Sequence, residues 1–359
     1  MRTTSIAAAF VTTFIAGCAS SSSEEPAPPA SEAELAALSF PEMPGLPALC
    51  AAPTTFNLPD AAWASWFSNV TYSTVGLTAN AIERNGFGKV GEGNTWVGEY
   101  SAQLIASLAG KPEAAAMKKA LYETIHPDRG LEFLSVGSSQ LTWADHRESP
   151  VSVLALRGTY ALDDALLDLD AWLVPGPLDG NVHQGFYKAE QEIEALLDER
   201  LALMPKDQTI IVTGHSAGAA VGSLWVAHAL KNGATQHFVI DSFGVPRIGD
   251  ETFATTFEAL MAEHEVPVVR FHNGKDPIPT QPGEFLGYRH VGLPVHLTPE
   301  GAEIDDAYIL QGLPNLSDHR KSTYFELTTE RLLFQQPAYA LRGNNAFATA
   351  TVASLSECR

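Results

Sequence analysis

Basic residues are in short supply. The chain carries 22 Lys and Arg against 42 Asp and Glu, a formal net charge of −20 at pH 7. Nucleic-acid binding needs clustered cations to neutralise phosphates, so this composition argues against nucleic acid as a partner. Cysteine is rarer still, at three in 359 residues, which leaves room for one internal bridge at most. The histidines show no H-E-x-x-H or comparable ligand spacing, and no metal or cofactor is expected. Residues 86–94 are glycine-rich, yet no strand-like run precedes them and no G-K-[ST] follows. They are read as a connecting loop rather than a phosphate loop. Internal repeats and a second core are absent too. With 45% hydrophobic residues, the simplest account is one large α/β domain.

The N-terminal apolar run, residues 6–16, follows Arg2 and is too short to cross a bilayer as a mature helix. Ile15, Ala16, Gly17 and Cys18 resemble the lipobox of bacterial lipoproteins, in which the cysteine is lipidated and becomes the mature N-terminus. That resemblance implies a signal peptide over 1–17, a membrane anchor at Cys18 and a place in the bacterial cell envelope. Ala19 leans toward the outer membrane. The competing reading is a plain secretory signal with Cys18 incidental. Residues 18–49 are rich in Ser, Pro, Ala and Glu and read as an extended tether, and residues 50–359 as the folded domain. Cys50 and Cys358 lie at opposite ends of that domain, and an oxidising compartment makes a disulfide between them plausible.

The densest chemical signal lies at residues 209–230, TIIVTGHSAGAAVGSLWVAHAL. Residues 209–213 are β-branched and read as a strand buried on both faces; the small and apolar residues after 218 read as a tightly packed helix. Between them stands G-x-S-x-G, with Ser216 at its centre. A serine hydroxyl becomes a useful nucleophile when a sharp turn exposes it beside a base, with a helix N-terminus behind it.

Around this corner, helical patterns appear over residues 61–122, in segments at 61–70, 75–82, 96–108 and 114–121. Residues 131–143 and 150–156 read as two strands of a hairpin joined by ADHRES. The second ends in Arg157, Gly158 and Thr159, where an oxyanion donor is expected. Residues 161–173 form an amphipathic acidic helix, either a lid or an ordinary surface helix. A second amphipathic helix runs to about Leu203. Strands at 238–243 and 266–271, with a helix at 250–263 between them, continue the alternation, and a final helix occupies 322–333. Strand–helix alternation implies a mostly parallel sheet whose functional residues lie at the C-terminal strand ends.

A triad in the order Ser, acid, His selects Ser216, then Asp276 just after a strand, then one of the later histidines. Order alone does not separate His290 from His319. A series of motifs bears on this: GHSAG, RGT at 157–159, VHQGF at 182–186, SFGVPRIGD at 242–250, D-x-x-P at 276–279, YRHVG at 288–292 and DHRKSTYF at 318–325. The series resembles that of class 3 lipases and spans about residues 131–334. The resemblance implies an α/β-hydrolase fold, with Ser216 as nucleophile, Asp276 as orienting acid and His319 as general base. It also implies that His290 is structural, that Thr159 and Ala217 supply the oxyanion hole, and that a lid follows Thr159. The implied substrate is a lipid ester, an acylglycerol or phospholipid, cleaved through an acyl-enzyme.

Three departures bear on substrate preference: Ala217 stands where many relatives have Leu, the His-to-Tyr spacing in DHRKSTYF is longer than usual, and the lid position carries four aspartates. Esters on carbohydrates, such as feruloyl or acetyl groups, are the alternative substrate, and a non-catalytic envelope scaffold is the alternative in kind. The bridge is tested by intact mass after alkylation. Label should reach Cys50 and Cys358 only once the protein is reduced, and labelling that reduction leaves unchanged removes the disulfide.

Overall fold

Apolar stretches too continuous for a half-exposed sheet make up the middle of the molecule, and helices cover both of its faces. The computed structural model describes residues 58–72, 95–100, 131–136, 139–158, 172–298, 301–304, 313–328 and 341–342, all within the unit Phe40–Arg359. The first half holds α1 (Leu58–Val70), β1 (Thr95–Tyr100), β2 (Leu131–Val136), β3 (Ser139–Asp145), β4 (Val151–Arg157), β5 (Leu173–Pro175), β6 (Asn181–His183) and α2 (Gln184–Ala202). Then follow β7 (Thr209–His215), α3 (Ala217–Lys231), β8 (His237–Phe243), β9 (Gly249–Asp250), α4 (Glu251–Glu263) and β10 (Val268–Asn273). The last elements are β11 (Tyr288–Arg289), β12 (Leu293–Thr298), β13 (Gly301–Ile304), α5 (Lys321–Phe325) and β14 (Leu341–Arg342).

Among the described residues, ten strands pair in the order β1-β2-β3-β4-β7-β8-β10-β12-β13-β14. The five central strands, β4, β7, β8, β10 and β12, run parallel, while β2, β3 and β4 form an antiparallel flank. Every residue of β7 is buried, as a strand covered on both faces requires. Thr213 Oγ1 donates to Ala64 O of α1, whereas a Cβ placed on Gly222 of α3 would meet Val212 Cγ1 at 2.9 Å. Neighbouring strand residues point to opposite faces, so α1 and α3 lie on opposite sides of the sheet. Gly222, an unfavourable residue inside a helix, is thus what lets α3 settle onto β7. Trp225 of α3 packs edge-on against Trp143 at 6.2 Å and Phe238 at 5.9 Å, contacts worth about 0.5–1.5 kcal/mol each beyond area burial.

Several expectations need correction. Residues 95–100 form a strand parallel to β2 and not the start of a helix; Thr95, Trp96 and Val97 are strand formers, and pairing with β2 outweighed a weak helical spacing. The run 131–143 is two antiparallel strands, β2 and β3, because Gly137 and Ser138 interrupt what reads as one apolar stretch. Leu173, assigned to the acidic helix, belongs to β5 and pairs with His183. That pairing adds a small antiparallel sheet, β11-β9-β6-β5, which the sequence pattern did not suggest because its strands are two or three residues long. Of the helix expected over 322–333, the described residues hold α5, starting at Lys321, and a π-helical turn over residues 326–328; residues 329–333 lie outside the described residues. The lid segment up to Ala171, the helices at 75–82 and 114–121, the tether and all three cysteines lie outside the described residues. No helix among the described residues is long and apolar enough to cross a membrane.

One carboxyl sits badly in this core. Asp241 of β8 is buried and neither side-chain oxygen has a hydrogen-bond partner. Burial, and then the nearby Asp60, push it well above the usual carboxylate range. A raised folded-state pKa contributes stability that is complete below the unfolded value of 3.8 and is lost as pH climbs toward the folded one. Asp241→Asn should therefore raise the Tm at pH 7, by about 2–4 °C for each kcal/mol relieved. The gap to the parent should shrink as pH falls toward 4 in thermal melts; a gap constant with pH contradicts this account.

Candidate active site

Ser216 joins β7 to α3 with φ 60° and ψ −133°. Such a conformation costs a non-glycine residue on the order of 1–3 kcal/mol and persists only when the surroundings impose it. Here they do: Ser216 N–H donates to Phe243 O at 2.9 Å and Ala219 N–H to Ser216 O at 3.1 Å. The flanking glycines are required by contact. A Cβ on Gly214 would meet Ala219 N at 2.7 Å, and one on Gly218 would run into Leu156 O of β4.

Asp276 and His319 arrive from two loops that are tied to each other. Asn273 Nδ2 donates to Asp318 O at 2.8 Å, Lys275 N–H to Asp318 Oδ2 at 2.7 Å and Asn315 N–H to Lys275 O at 3.0 Å. Within this frame His319 Nδ1 donates to Asp276 Oδ2 at 2.7 Å. Tyr324 Oη donates to the same oxygen at 2.6 Å, and Ile278 N–H to Oδ1 at 2.8 Å. Asp276 is fully buried, and these donors give its two oxygens the hydrogen bonds that burial demands. With Nδ1 turned to Asp276, the opposite ring nitrogen of His319 is Nε2. It is buried and makes no hydrogen bond, so the Ser216 hydroxyl is not bonded to it in this conformation; such bonds tighten when substrate arrives. Both residues border the corner Phe243–Gly244. Phe243 O holds the Ser216 amide, and a Cβ on Gly244, at φ +60°, would meet His319 Cε1 at 3.0 Å and Asp276 Oδ2 at 3.1 Å.

A second chain of hydrogen bonds braces the other side. Gly158 N–H donates to Tyr72 Oη at 2.9 Å, and the His215 ring accepts from Tyr72 Oη through Nδ1 at 3.0 Å. His215 Nε2 then donates to the backbone oxygen of His319 at 2.6 Å. Burial, and then nearby His319, hold His215 well below the usual imidazole range, so it stays neutral in this role. Lys321 lies 3.9 Å from the centre of the Tyr72 ring, and burial, followed by Arg157, lowers its amine to about 8. Tyr72, His215 and Tyr324 are the residues that sequence reasoning left without a role. Tyr324 and His215 sit inside quoted motifs, but Tyr72 carried no signal, since only the fold brings it to Gly158.

His319, and not His290, faces Asp276. His290 Nε2 donates to Pro279 O at 2.6 Å, and burial, then Arg270 and Arg247, hold it well below its ordinary range. His296, within β12, packs its ring against His272 at 5.0 Å. Ala217 opens α3, where backbone N–H groups have no intrahelical acceptor, and it borders a cleft of about 170 Å³ lined also by Leu156, Arg157, Phe186, Ala189 and Val221. Thr159, the other expected oxyanion residue, lies outside the described residues.

Residues 153–286 match the lipase (class 3) family. That stretch includes Ser216 and Asp276; His319 lies beyond it and rests on its bond to Asp276. Secreted mono- and diacylglycerol lipase 1 of Fusarium solani is 32% identical over 130 residues, 35% of this chain and 37% of its own length. Phospholipase A1-II 4 of Oryza sativa subsp. japonica is 33% identical over 173 residues, 39% of this chain and 42% of its own. The chain thus spans about two fifths of the length of these curated relatives. A deletion mutant of the Rhizomucor miehei lipase propeptide complex superposes with a TM-score of 0.51 at 16% identity, over 86% of this chain and 95% of that one. The fold is that of the α/β-hydrolases.

Tyr324→Phe should keep the ring packing but leave Asp276 Oδ2 one donor short and Asn273 N–H, which donates to Tyr324 Oη at 3.1 Å, without its acceptor. The expected loss is about 1–3 kcal/mol, read from urea denaturation. A variant as stable as the parent would show that this hydroxyl carries no net weight.

Proposed function

We propose that the protein is a serine carboxylic ester hydrolase of the lipase type, cleaving acyl esters of acylglycerols or phospholipids through an acyl-enzyme. The observation that carries this reading is the bond from His319 to Asp276, 2.7 Å long, with the opposite ring nitrogen Nε2 buried and unpartnered and the imidazole packed next to the strained Ser216 corner. In the proposed mechanism Ser216 Oγ attacks the ester carbonyl carbon while His319 Nε2 takes its proton. Asp276 holds the ring and stabilises the imidazolium that forms. Backbone N–H groups of Ala217 and Thr159 receive the oxyanion, an effect worth about 2.7–4 kcal/mol per donor. His319 returns the proton to the departing alcohol, and a water activated by the same nitrogen frees the acid.

The cleft beside Ala217 supports an acyl group as the bound portion, being walled by Leu156, Phe186, Ala189 and Val221. The lipid substrates named for the Fusarium and rice relatives support the same class. We also propose that Cys18 is lipidated and anchors the domain to the bacterial envelope through the tether, a reading supported by residues 6–18 alone.

Hydrolysis of p-nitrophenyl esters from acetyl to palmitoyl, beside a phospholipid and a feruloyl ester, tests the activity. Ser216→Ala and His319→Ala should each lower kcat by on the order of 10³-fold or more, while His290→Ala retains most of it. Serine-dependent turnover confined to feruloyl or acetyl esters would move the substrate away from lipids. Full activity in Ser216→Ala would overturn the nucleophile assignment.

A further inference from the structure

Well away from Ser216, α2 and α3 pack side by side around a polar cluster that ester hydrolysis does not use. Glu190, Glu194 and Asp198 are spaced four apart along α2 and form one ridge. Asp198 Oδ1 is engaged by Trp225 Nε1 at 3.1 Å. One turn beyond Trp225, His228 projects between the two glutamates: Nδ1 lies 3.5 Å from Glu190 Oε1, and Nε2 lies 3.2 Å from Glu194 Oε1. One donor atom from each of the three residues lies within 4.8 Å of the others.

Glu190 is the unusual member. Its side chain is wholly inaccessible to solvent, and neither carboxylate oxygen has a hydrogen-bond partner. The polar ends of buried acids are normally satisfied, because an unpaired carboxylate in the interior is costly. Burial, then Glu194, then Asp198 push this carboxyl up to about 8. Among the described residues the groups in ion-pair range of these two carboxylates come from a single histidine. The cluster is rich in donors to a cation and poor in cations.

We propose that Glu190, Glu194 and His228 form a binding site for one divalent transition-metal ion of the zinc class. Two carboxylates and one imidazole suit a borderline ion; calcium and magnesium favour all-oxygen shells, and among the described residues no thiolate joins the cluster to select a softer metal. Tetrahedral ligands held about 2.0–2.2 Å from zinc stand roughly 3.3–3.6 Å apart, and one ligand atom from each residue already lies within 4.8 Å of the others, so the site has only a short way to close around an ion. Only one imidazole nitrogen ligates, so the glutamate facing the other nitrogen turns toward the metal, a rotamer change within the 4.8 Å span. Glu194 is 30% exposed at its side chain and His228 18%, which provides an entry path and a position for water. Twelve residues of helix, about 18 Å, separate His228 from Ser216. The ion therefore clasps α2 to α3 and takes no part in ester chemistry, and the proposal stands whatever the substrate.

The test uses the full chain, stripped with chelator and titrated calorimetrically with ZnCl₂. One equivalent should bind saturably and raise the Tm, and Co²⁺ in its place should give the visible spectrum of a tetrahedral centre. His228→Ala should weaken binding by about tenfold or more, as should Glu190→Gln, which keeps shape and burial and so reports on a folded protein. His264→Ala, which removes an exposed histidine, should bind as the parent does. Absence of saturable binding, or equal affinity in the parent, His228→Ala and Glu190→Gln, overturns the site.

Discussion

The corner at Ser216 governs the rest of the structure. Its backbone lies where L side chains are disfavoured, so it cannot hold itself. The strand before it is buried on both faces, the helix after it presses onto the sheet through Gly222, and glycines on either side let backbones approach to distances no Cβ permits. Phe243 O, at the end of the neighbouring strand, takes the serine amide. The next residue, Gly244, leaves the space that the Asp276–His319 pair fills. One strained residue thus dictates the chemistry of several positions far from it in sequence.

The interior handles its acids in two contrasting ways. Asp276 is buried but hydrogen-bonded by a histidine, a tyrosine and a backbone amide, so its oxygens have the partners that burial demands. Asp241 and Glu190 are buried without hydrogen bonds, and both are driven toward the neutral form. Low dielectric amplifies a satisfied contact and an unsatisfied one alike. Where polar networks are complete the structure is braced, and where they are open they mark a strain that a proton or another cation relieves.

Much of this was legible from residues alone. The strand–corner–helix at 209–230, the parallel core and the Ser, Asp, His order follow from patterns local to a few residues, because a buried strand and a tight turn each demand particular side chains. Choosing His319 over His290 needed the motif resemblance; the side chain found against Asp276 is that of His319. Elements whose identity depends on distant partners were misread. Residues 95–100 become a strand by pairing with β2, and the small sheet joins strands too short to show a period. Tyr72 is the extreme case: its partners, Gly158 and His215, are 86 and 143 residues away. Glu190 and Glu194 share a helix, but His228 comes from another, so a search for ligand spacing along one element passes over the cluster.

Tyr72 also bears on what counts as the minimal unit of the candidate site. The stretch matching the family begins at residue 153, after Tyr72, and ends before His319. A fragment cut to those limits would keep Ser216 but lose His319. Adding the C-terminal loop back would restore His319 while leaving His215 without its phenol and the Gly158 amide without an acceptor. The segment just after α1 is therefore not a detachable preface. It acts as a keystone set from outside, locking the two halves of an arch that were laid from different ends of the chain.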